Sequence, residues 1–174
     1  MAYRRVQTAE IQSLNPKRFP PLDLIRPDLI LRETDAGVLQ VQDALRKKWL
    51  VLSPEEWVRQ HVVHWLLHHT GFPASLLSLE RGIPGANSGR TDVLGFDRQG
   101  RPLLLTECKS AQVEISSATV IQAMAYNEIL RARFIWLSNG LQHKVLELHP
   151  DFSMKKEHLF LPVFGEMDEI VRCS

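Results

Sequence analysis

The sequence has few of the features that assign a protein to a class at once. Its two cysteines, Cys108 and Cys173, are too few for a disulfide framework. Arg4 and Arg5 are not followed by the apolar run of a signal peptide, and no apolar stretch approaches the roughly 20 residues that span a bilayer. We therefore expect a cytoplasmic protein without membrane contact.

Nucleotide-binding motifs and a strong charge imbalance are also missing. No G-x-x-x-x-G-K-[ST] phosphate loop occurs, so we expect no nucleotide cofactor and no motor domain. The 21 basic and 20 acidic side chains give a formal net charge of +1, which argues against nucleic-acid binding by bulk charge alone. Specific chemistry must then come from particular residues, and we expect it in the middle of the chain.

The pattern of prolines and apolar runs divides the chain into three parts. We expect an N-terminal extension over 1–50, a core over 51–150 and a C-terminal tail packed on the core over 151–174. Four prolines exclude a long helix in the extension: Pro16, Pro20, Pro21 and Pro27. Apolar runs on both sides of Thr34-Asp35-Ala36-Gly37 favour a hairpin there. The basic cluster Arg46-Lys47-Lys48 fits either a solvated turn or a phosphate contact.

The core begins with a strong helix start, Ser53-Pro54-Glu55-Glu56. Ser53 is a good N-cap, Pro54 stands where its missing N–H does no harm, and Glu56 would complete a capping box. The apolar period predicts an amphipathic helix to about His69. Glu55, Glu56 and Arg59 fall on its apolar side, and we expect Arg59 to hold one of the two acids in place.

Three histidines fall on the opposite side of this predicted helix: His61, His64 and His68. Their spacing brings them together. No H-E-x-x-H motif is present, and no Cys or Asp stands nearby to complete a zinc shell. A solvated polar face is therefore favoured over a metal site.

The remaining elements are predicted as three strands, a helix and one or two further strands. Strands are expected over 74–80, 92–96 and 102–109, a helix over 116–133, and strands over 134–137 and 145–148. The second and third strands flank Asp97-Arg98-Gln99-Gly100 as a hairpin. The glycine-rich stretch 82–89 fits a mobile connection or a loop that approaches DNA. This order predicts an α/β protein with helices on the faces of its sheet.

The third strand carries the residues with the clearest chemistry. Alternate side chains of a strand share a face, so Glu107 and Lys109 point one way and Cys108 points with Leu104 to the other. Asp92 begins the partner strand, where it can approach Glu107. Two neighbouring acids repel unless a cation joins them, and Mg²⁺ prefers carboxylate oxygens. A buried Glu–Lys ion pair, with Asp92 as a turn residue, is the alternative.

Five ordered blocks of the sequence resemble the PD-(D/E)XK nuclease superfamily, and more closely the N-terminal nuclease domain of type I restriction enzyme R subunits. They are 52–60, 89–93, 102–109, Gln122 with Tyr126-Asn127, and Ser138 through His143, within residues 43–148. The Asp92…Glu107-x-Lys109 pattern alone is common by chance, whereas the ordered set is specific. Thr91 stands where the name-giving proline would be, a position that does no chemistry.

This resemblance implies a fold, an activity and a site. The fold is a restriction-endonuclease-like α-β-β-β-α-β core with a mixed central sheet flanked by helices. The activity is Mg²⁺-dependent DNA hydrolysis, with Mn²⁺ as a substitute, in restriction, defence or repair. Asp92, Glu107 and the Cys108 carbonyl would be the metal ligands, and Lys109 would act on the attacking water. Glu56 would be the acid added by the first helix, with Glu55 as its substitute and plain capping as the alternative role.

Further residues are implied along the DNA path. Gln122 and Tyr126 match a Q-x-x-x-Y motif that helps to order such sites, although they also fit the polar edge of a helix. Arg90 fits a phosphate contact or a loop cation. DNA is the expected partner, and a partner protein or self-association stays open. The competing hypotheses are a catalytically inactive nucleic-acid-binding or protein-interaction module with the same fold and, with no supporting motif, a metabolic α/β enzyme.

Overall fold

Two β-sheets and the helices packed on them make up the computed structural model, which describes residues 3–82 and 90–173. The strands are β1 (Tyr3–Val6), β2 (Leu31–Thr34), β3 (Leu39–Gln42), β4 (Trp49–Val51), β5 (Leu77–Gly82), β6 (Arg90–Phe96), β7 (Pro102–Cys108), β8 (Phe134–Ser138), β9 (His143–Leu148) and β10 (Met154–His158). The helices are α1 (Thr8–Leu14), α2 (Pro54–His68), α3 (Ser117–Leu130) and α4 (Phe164–Arg172). Apart from Gly82, the predicted glycine-rich connection lies outside the described residues.

The larger sheet has the strand order β10-β9-β8-β7-β6-β5. Strands β7 and β8 run parallel and are joined through α3, while the other neighbouring strands pair antiparallel. The predicted α/β class is confirmed, and the predicted order of elements appears as α2, β5, β6, β7, α3 and β8. The first of these strands starts three residues late, because a short 3-10 turn over Ala74–Leu76 follows Pro73.

The start of α2 confirms the predicted cap but corrects the predicted capping box. The Ser53 Oγ accepts a hydrogen bond from the Glu56 N–H at 3.0 Å. The Ser53 N–H, however, donates to the Val51 carbonyl at 3.0 Å, and the Glu56 carboxylate binds Arg59 and Gln60 instead. The prediction that Glu56 completes the box is therefore wrong, because a buried carboxylate is better stabilised by a guanidinium than by one neutral N–H.

The β6–β7 hairpin forms as predicted. Its turn is closed by the Asp97 carboxylate, which accepts from the N–H groups of Gln99 and Arg101 at 2.9 and 2.8 Å. Gly100 has a φ of +79°, which glycine adopts without steric cost. The turn places Phe96 opposite Pro102, and a register shift between Gly95 and Phe96 then places Gly95 opposite Leu104, so the turn and this shift together set the pairing of the two strands.

Two apolar clusters cover the two faces of the larger sheet. One contains Trp57 and Val62 of α2 with Leu104 and Cys108 of β7, and the other lies under α3 with Leu105 among its members. The opposite placement of Leu104 and Leu105 confirms the alternation predicted for β7. Burial on both faces explains why this strand is nearly continuous in apolar residues.

The N-terminal extension forms the smaller sheet, β1-β2-β3-β4, and packs on α2. The predicted hairpin is present as β2 and β3. Phe19 is fully buried against Trp57, and the Trp57 indole N–H donates to the Pro20 carbonyl at 3.0 Å. The extension therefore belongs to the same apolar cluster as the first core helix.

This packing corrects the prediction of a solvated histidine face. His61 is 3% exposed, packs against the tilted Trp57 ring with ring centroids 4.4 Å apart, and has Nδ1 2.8 Å from the Trp57 carbonyl oxygen. Burial lowers the pKa of His61 to about 4, so the ring is neutral at pH 7. His64 is half-buried, and only His68 is exposed as predicted.

The C-terminal tail packs on the core through α4. Phe164 and Met167 are buried, and the Phe164 ring lies 4.7 Å from that of Phe72, between centroids. Within residues 3–82 and 90–173, no helix is long and apolar enough to cross a membrane.

Candidate functional site

The site lies where β6 and β7 pair, close to the N-terminus of α2. Val93 stands opposite Thr106 in the ladder, and the same register places Asp92 opposite Glu107. Directly opposed residues of an antiparallel pair have neighbouring side chains. Asp92 is 8% exposed and Glu107 is 7% exposed. The hairpin thus brings the two predicted acids together in a nearly dry environment.

The negative charge of Glu107 is less well balanced by donors and cations than that of Asp92. Burial, and after it the charge of Asp92, raises the pKa of Glu107 to about 8, against the opposing effect of Lys109. Its Oε1 atom is buried and has no hydrogen-bond partner among the described residues. A buried carboxylate oxygen without a donor is costly, so this atom is suited to an added cation or proton.

Asp92 is held by two groups of its own chain. Its Oδ2 accepts the Cys108 N–H at 2.7 Å, and its Oδ1 lies 3.2 Å from Arg59 Nη1. Burial nevertheless raises the pKa of Asp92 above its usual range, against the hydrogen bond from Cys108 and the charge of Arg59. Each carboxylate oxygen has two lone pairs, so these bonds leave Asp92 with capacity for a further ligand.

Lys109 follows directly after β7 and is half-buried. Its backbone N–H donates to the Ser138 carbonyl at 2.9 Å, which continues the pairing with β8. Its charge acts through space on Asp92, Glu107 and Glu55 and lowers the pKa of each. The Cys108 side chain points away into the core, where burial raises the pKa of its thiol.

The two acids at the start of α2 have different surroundings. Glu56 is 4% exposed and binds the Arg59 guanidinium and, at 2.8 Å, Gln60 Nε2. Glu55 is exposed, and its pKa is raised by burial and by the charge of Asp92. Glu56 is thus held by Arg59 and Gln60, whereas Glu55 interacts with Asp92 and Lys109 only through their charges. The expectation that Arg59 holds one helix acid is confirmed, and that acid is Glu56.

Two further charged residues of this region, Glu80 and Arg46, were not predicted from the sequence to belong to the site. Glu80 of β5 binds Arg59 at 3.2 Å and Arg46 at 2.5 Å. Neither contact has a local signal in the sequence, because Glu80 lies 34 residues after Arg46 and 21 residues after Arg59. Arg46 is thus engaged with protein carboxylates.

The predicted helix pair lies on α3, and the predicted arginine lies at the start of β6. On α3, Gln122 Nε2 donates to the Tyr126 hydroxyl at 3.1 Å, with Gln122 exposed and Tyr126 half-buried. Arg90 is exposed at the start of β6, and its charge contributes to a lowered pKa of Glu80. The described hydrogen bonds join Gln122 and Tyr126 to each other, and contact with DNA stays a prediction for all three residues.

The side chains that could bind a metal ion at this site are the two carboxylates of Asp92 and Glu107. In the part of the chain that the structure describes, no group of three or more His, Cys, Asp and Glu side chains is arranged to hold one. Asp92 and Glu107 offer two carboxylates, one with a buried oxygen that lacks a donor. Such a pair fits Mg²⁺, which commonly binds through one or two carboxylates and keeps several waters.

Comparison with known families gives one match. Residues 54–162 match the model of the type I restriction enzyme R protein N terminus (HSDR_N), from the first residue of α2 to four residues beyond β10. The matched segment is well over half of the chain and includes Asp92, Glu107 and Lys109. A comparison with curated protein sequences finds no match. The chain belongs to the family of the type I restriction enzyme R protein N terminus.

Proposed function

We propose that this chain is a metal-dependent DNA nuclease domain of the PD-(D/E)XK type, acting in restriction of DNA. The observation that carries the proposal is the Glu107 Oε1 atom, which is buried beside a second acid and lacks a donor among the described residues. Membership in the family of the type I restriction enzyme R protein N terminus supports DNA as the substrate and other protein subunits as partners.

Asp92 and Glu107 would hold Mg²⁺ or Mn²⁺, with the Cys108 carbonyl and waters as further ligands. The site has more acids than cations: Asp92, Glu107, Glu55, Glu56 and Glu80 share Arg59, Lys109 and Arg46. A divalent cation would offset the repulsion that raises the pKa of Glu107. When bound, Mg²⁺ supplies Lewis acidity toward a DNA phosphate.

Lys109 has the chemistry to act on the attacking water. Its charge acts on both candidate ligands, and its ammonium would orient a water molecule and stabilise the negative charge that develops on the phosphate. Hydrolysis by water needs no covalent intermediate with the protein. Glu55, which is not bound by Arg59 and is affected by the charges of Asp92 and Lys109, would be the helix acid that orients this water or a metal-bound ligand.

The surroundings of the site supply candidate contacts to DNA. Arg90 is exposed beside Glu80 and would bind a phosphate, and the Gln122–Tyr126 pair would lie along the DNA path. An inactive binding module with the same fold is the competing function. It is disfavoured because Asp92, Glu107 and Lys109 are all present, with the two acids opposite each other on β6 and β7.

The proposal is tested by cleavage of supercoiled plasmid and of single-stranded DNA with Mg²⁺, Mn²⁺ or EDTA. We expect cleavage only with a divalent ion, and its loss in Glu107→Gln and Lys109→Ala. Lys155→Ala is the matched control, because it removes an ion-paired lysine from the same sheet, 41% exposed and on β10. DNA binding without cleavage under any of these ions would overturn the nuclease assignment in favour of the binding module.

A further inference from the structure

The Arg59 guanidinium is the common partner of three acids from three different elements. It contacts Glu56 of α2, Glu80 of β5 at 3.2 Å and Asp92 of β6 at 3.2 Å. The side chain is 11% exposed, so these contacts are made largely without water. Planar guanidinium groups suit such sites because their donors point in fixed directions. Arg59 thereby connects a candidate metal ligand to the helix and to the neighbouring strand.

Arg59 is itself part of a closed ring of charged and polar side chains. Glu80 Oε2 binds Arg46 at 2.5 Å, and Arg46 binds Asp43 at 2.8 Å. Gln60 Nε2 then donates to Asp43 at 3.3 Å and to Glu56 at 2.8 Å, and Glu56 returns to Arg59. The ring joins the segment before β4, helix α2 and strand β5. Its contacts hold the Arg59 guanidinium in position.

Glu80 has a backbone conformation that is unusual for a strand residue. Leu79 pairs with Val93 and Arg81 with Thr91, so Glu80 stands level with Asp92 on the adjacent strand. Glu80 has a φ of +49°, in the left-handed region that side chains rarely adopt within a strand. Strain of this kind persists where surrounding contacts hold it, and here two arginines bind the Glu80 carboxylate.

We propose that Arg59 and Glu80 are positioning residues: Glu80 sets the place of the Arg59 guanidinium, which holds the Asp92 carboxylate beside Glu107. The link to cation binding rests on the proposed function, whereas the placement of Asp92 does not. Neither residue is a catalytic residue, because both act through Asp92.

The backbone N–H of Cys108 gives a direct reporter of this placement. It donates to Asp92 Oδ2 at 2.7 Å, on the opposite side of the carboxylate from Arg59. If Arg59 loses its anchor at Glu80, the Asp92 carboxylate gains freedom and this bond weakens. The Cys108 amide is buried in the sheet, so its NMR shift and its hydrogen exchange follow Asp92 without any metal or DNA.

The experiment compares wild type, Glu80→Gln, Arg59→Lys and the control Glu33→Gln in the full chain. Glu33 matches Glu80 as a half-exposed strand glutamate (32% against 29%) bound to an arginine, but it lies in the smaller sheet. Melting temperatures, the Cys108 amide signal and the Mn²⁺ affinity are measured for all four proteins. Glu80→Gln keeps the volume of the side chain and leaves the buried core intact.

We expect Glu80→Gln and Glu33→Gln to melt within a few degrees of each other, because partly exposed ion pairs contribute little stability. Only Glu80→Gln and Arg59→Lys should shift the Cys108 amide and speed its exchange, and both should weaken Mn²⁺ binding about 10-fold. An unchanged Cys108 amide in Glu80→Gln would overturn the positioning role, whatever the nuclease assay gives. A changed amide in a protein that cuts no DNA would support positioning and overturn the nuclease proposal alone.

Discussion

Glu107 and Glu147 are two buried glutamates of the same sheet whose pKa values shift in opposite directions. Glu147 on β9 is 1% exposed and lies 2.7 Å from Lys155, 3.5 Å from Lys156 and 2.6 Å from His158, all on β10. Burial would raise its pKa, but the hydrogen bonds from Lys155 and His158 hold it below the usual range. Glu107 is 7% exposed, and its pKa is raised to about 8.

The difference between the two residues lies in what the neighbouring strand supplies. Strand β10 presents cations to Glu147, whereas β6 presents a second acid, Asp92, to Glu107. Burial alone therefore does not determine the direction in which the pKa of a glutamate shifts. The distinction comes from whether the protein's own donors satisfy the charge, which they do at Glu147 and leave incomplete at Glu107.

The largest difference is expected in DNA cleavage. Glu107→Gln should lose about 1000-fold in cleavage rate, equivalent to roughly 4 kcal/mol of transition-state stabilisation. Glu147→Gln, a change of the same chemistry in the same sheet, should stay within about 3-fold of wild type, or roughly 0.7 kcal/mol. Initial rates on plasmid DNA with Mg²⁺ measure both. Equal losses of cleavage rate in the two variants would contradict a special role of Glu107 in DNA cleavage.

The pH dependence of stability should separate the two residues next. The folded pKa of Glu107 is raised to about 8, so between pH 6.5 and 8 its carboxyl is protonated in the fold and ionised in the unfolded chain. The free energy of unfolding therefore decreases as pH rises. Without divalent ions the decrease is roughly 2 kcal/mol between pH 6.5 and 8. Urea unfolding at several pH values measures this loss.

Glu107→Gln should abolish that loss, because the amide does not titrate, and saturating Mg²⁺ should reduce it in wild type. Glu147→Gln should keep it. A wild-type stability that rises over the same window would show that Glu107 is already ionised in the fold.

A smaller effect is expected on stability at fixed pH. At pH 7, Glu147→Gln should cost about 1 kcal/mol, because it leaves Lys155 and Lys156 without their carboxylate while their partial exposure lets them turn to water. Glu107→Gln should instead stabilise the metal-free protein slightly, since it removes a buried acid next to Asp92. Chemical denaturation at pH 7 with EDTA gives both values. A loss of stability in Glu107→Gln would contradict the account of a strained acid pair.

The parts of the site that depend on local periodicity were predictable from the sequence. Apart from the register shift between Gly95 and Phe96, the turn over Asp97–Gly100 sets the pairing of β6 and β7, and alternation along β7 places Glu107 and Lys109 on one face. The cap at Ser53 likewise fixes where α2 begins. These features depend on residues close in the chain, whose geometry has only a few solutions.

The remaining features depend on contacts between distant segments. One example is Arg59, whose guanidinium binds Glu56 of its own helix and is itself bound by Glu80 and Asp92 of two other strands. His61 is buried because the N-terminal extension packs on α2, which helix periodicity alone does not show. The family match starts at residue 54 and so does not include the extension.

The central claim is that the unsatisfied Glu107 carboxylate, paired with Asp92, is where a divalent cation binds. Its most direct test is Mn²⁺ binding by isothermal titration calorimetry at pH 8 with wild type, Glu107→Gln and Glu147→Gln. The account predicts a Mn²⁺ site in wild type and in Glu147→Gln, with affinity lowered at least about 10-fold in Glu107→Gln. Equal Mn²⁺ affinity in wild type and Glu107→Gln, or no binding to wild type, would contradict it.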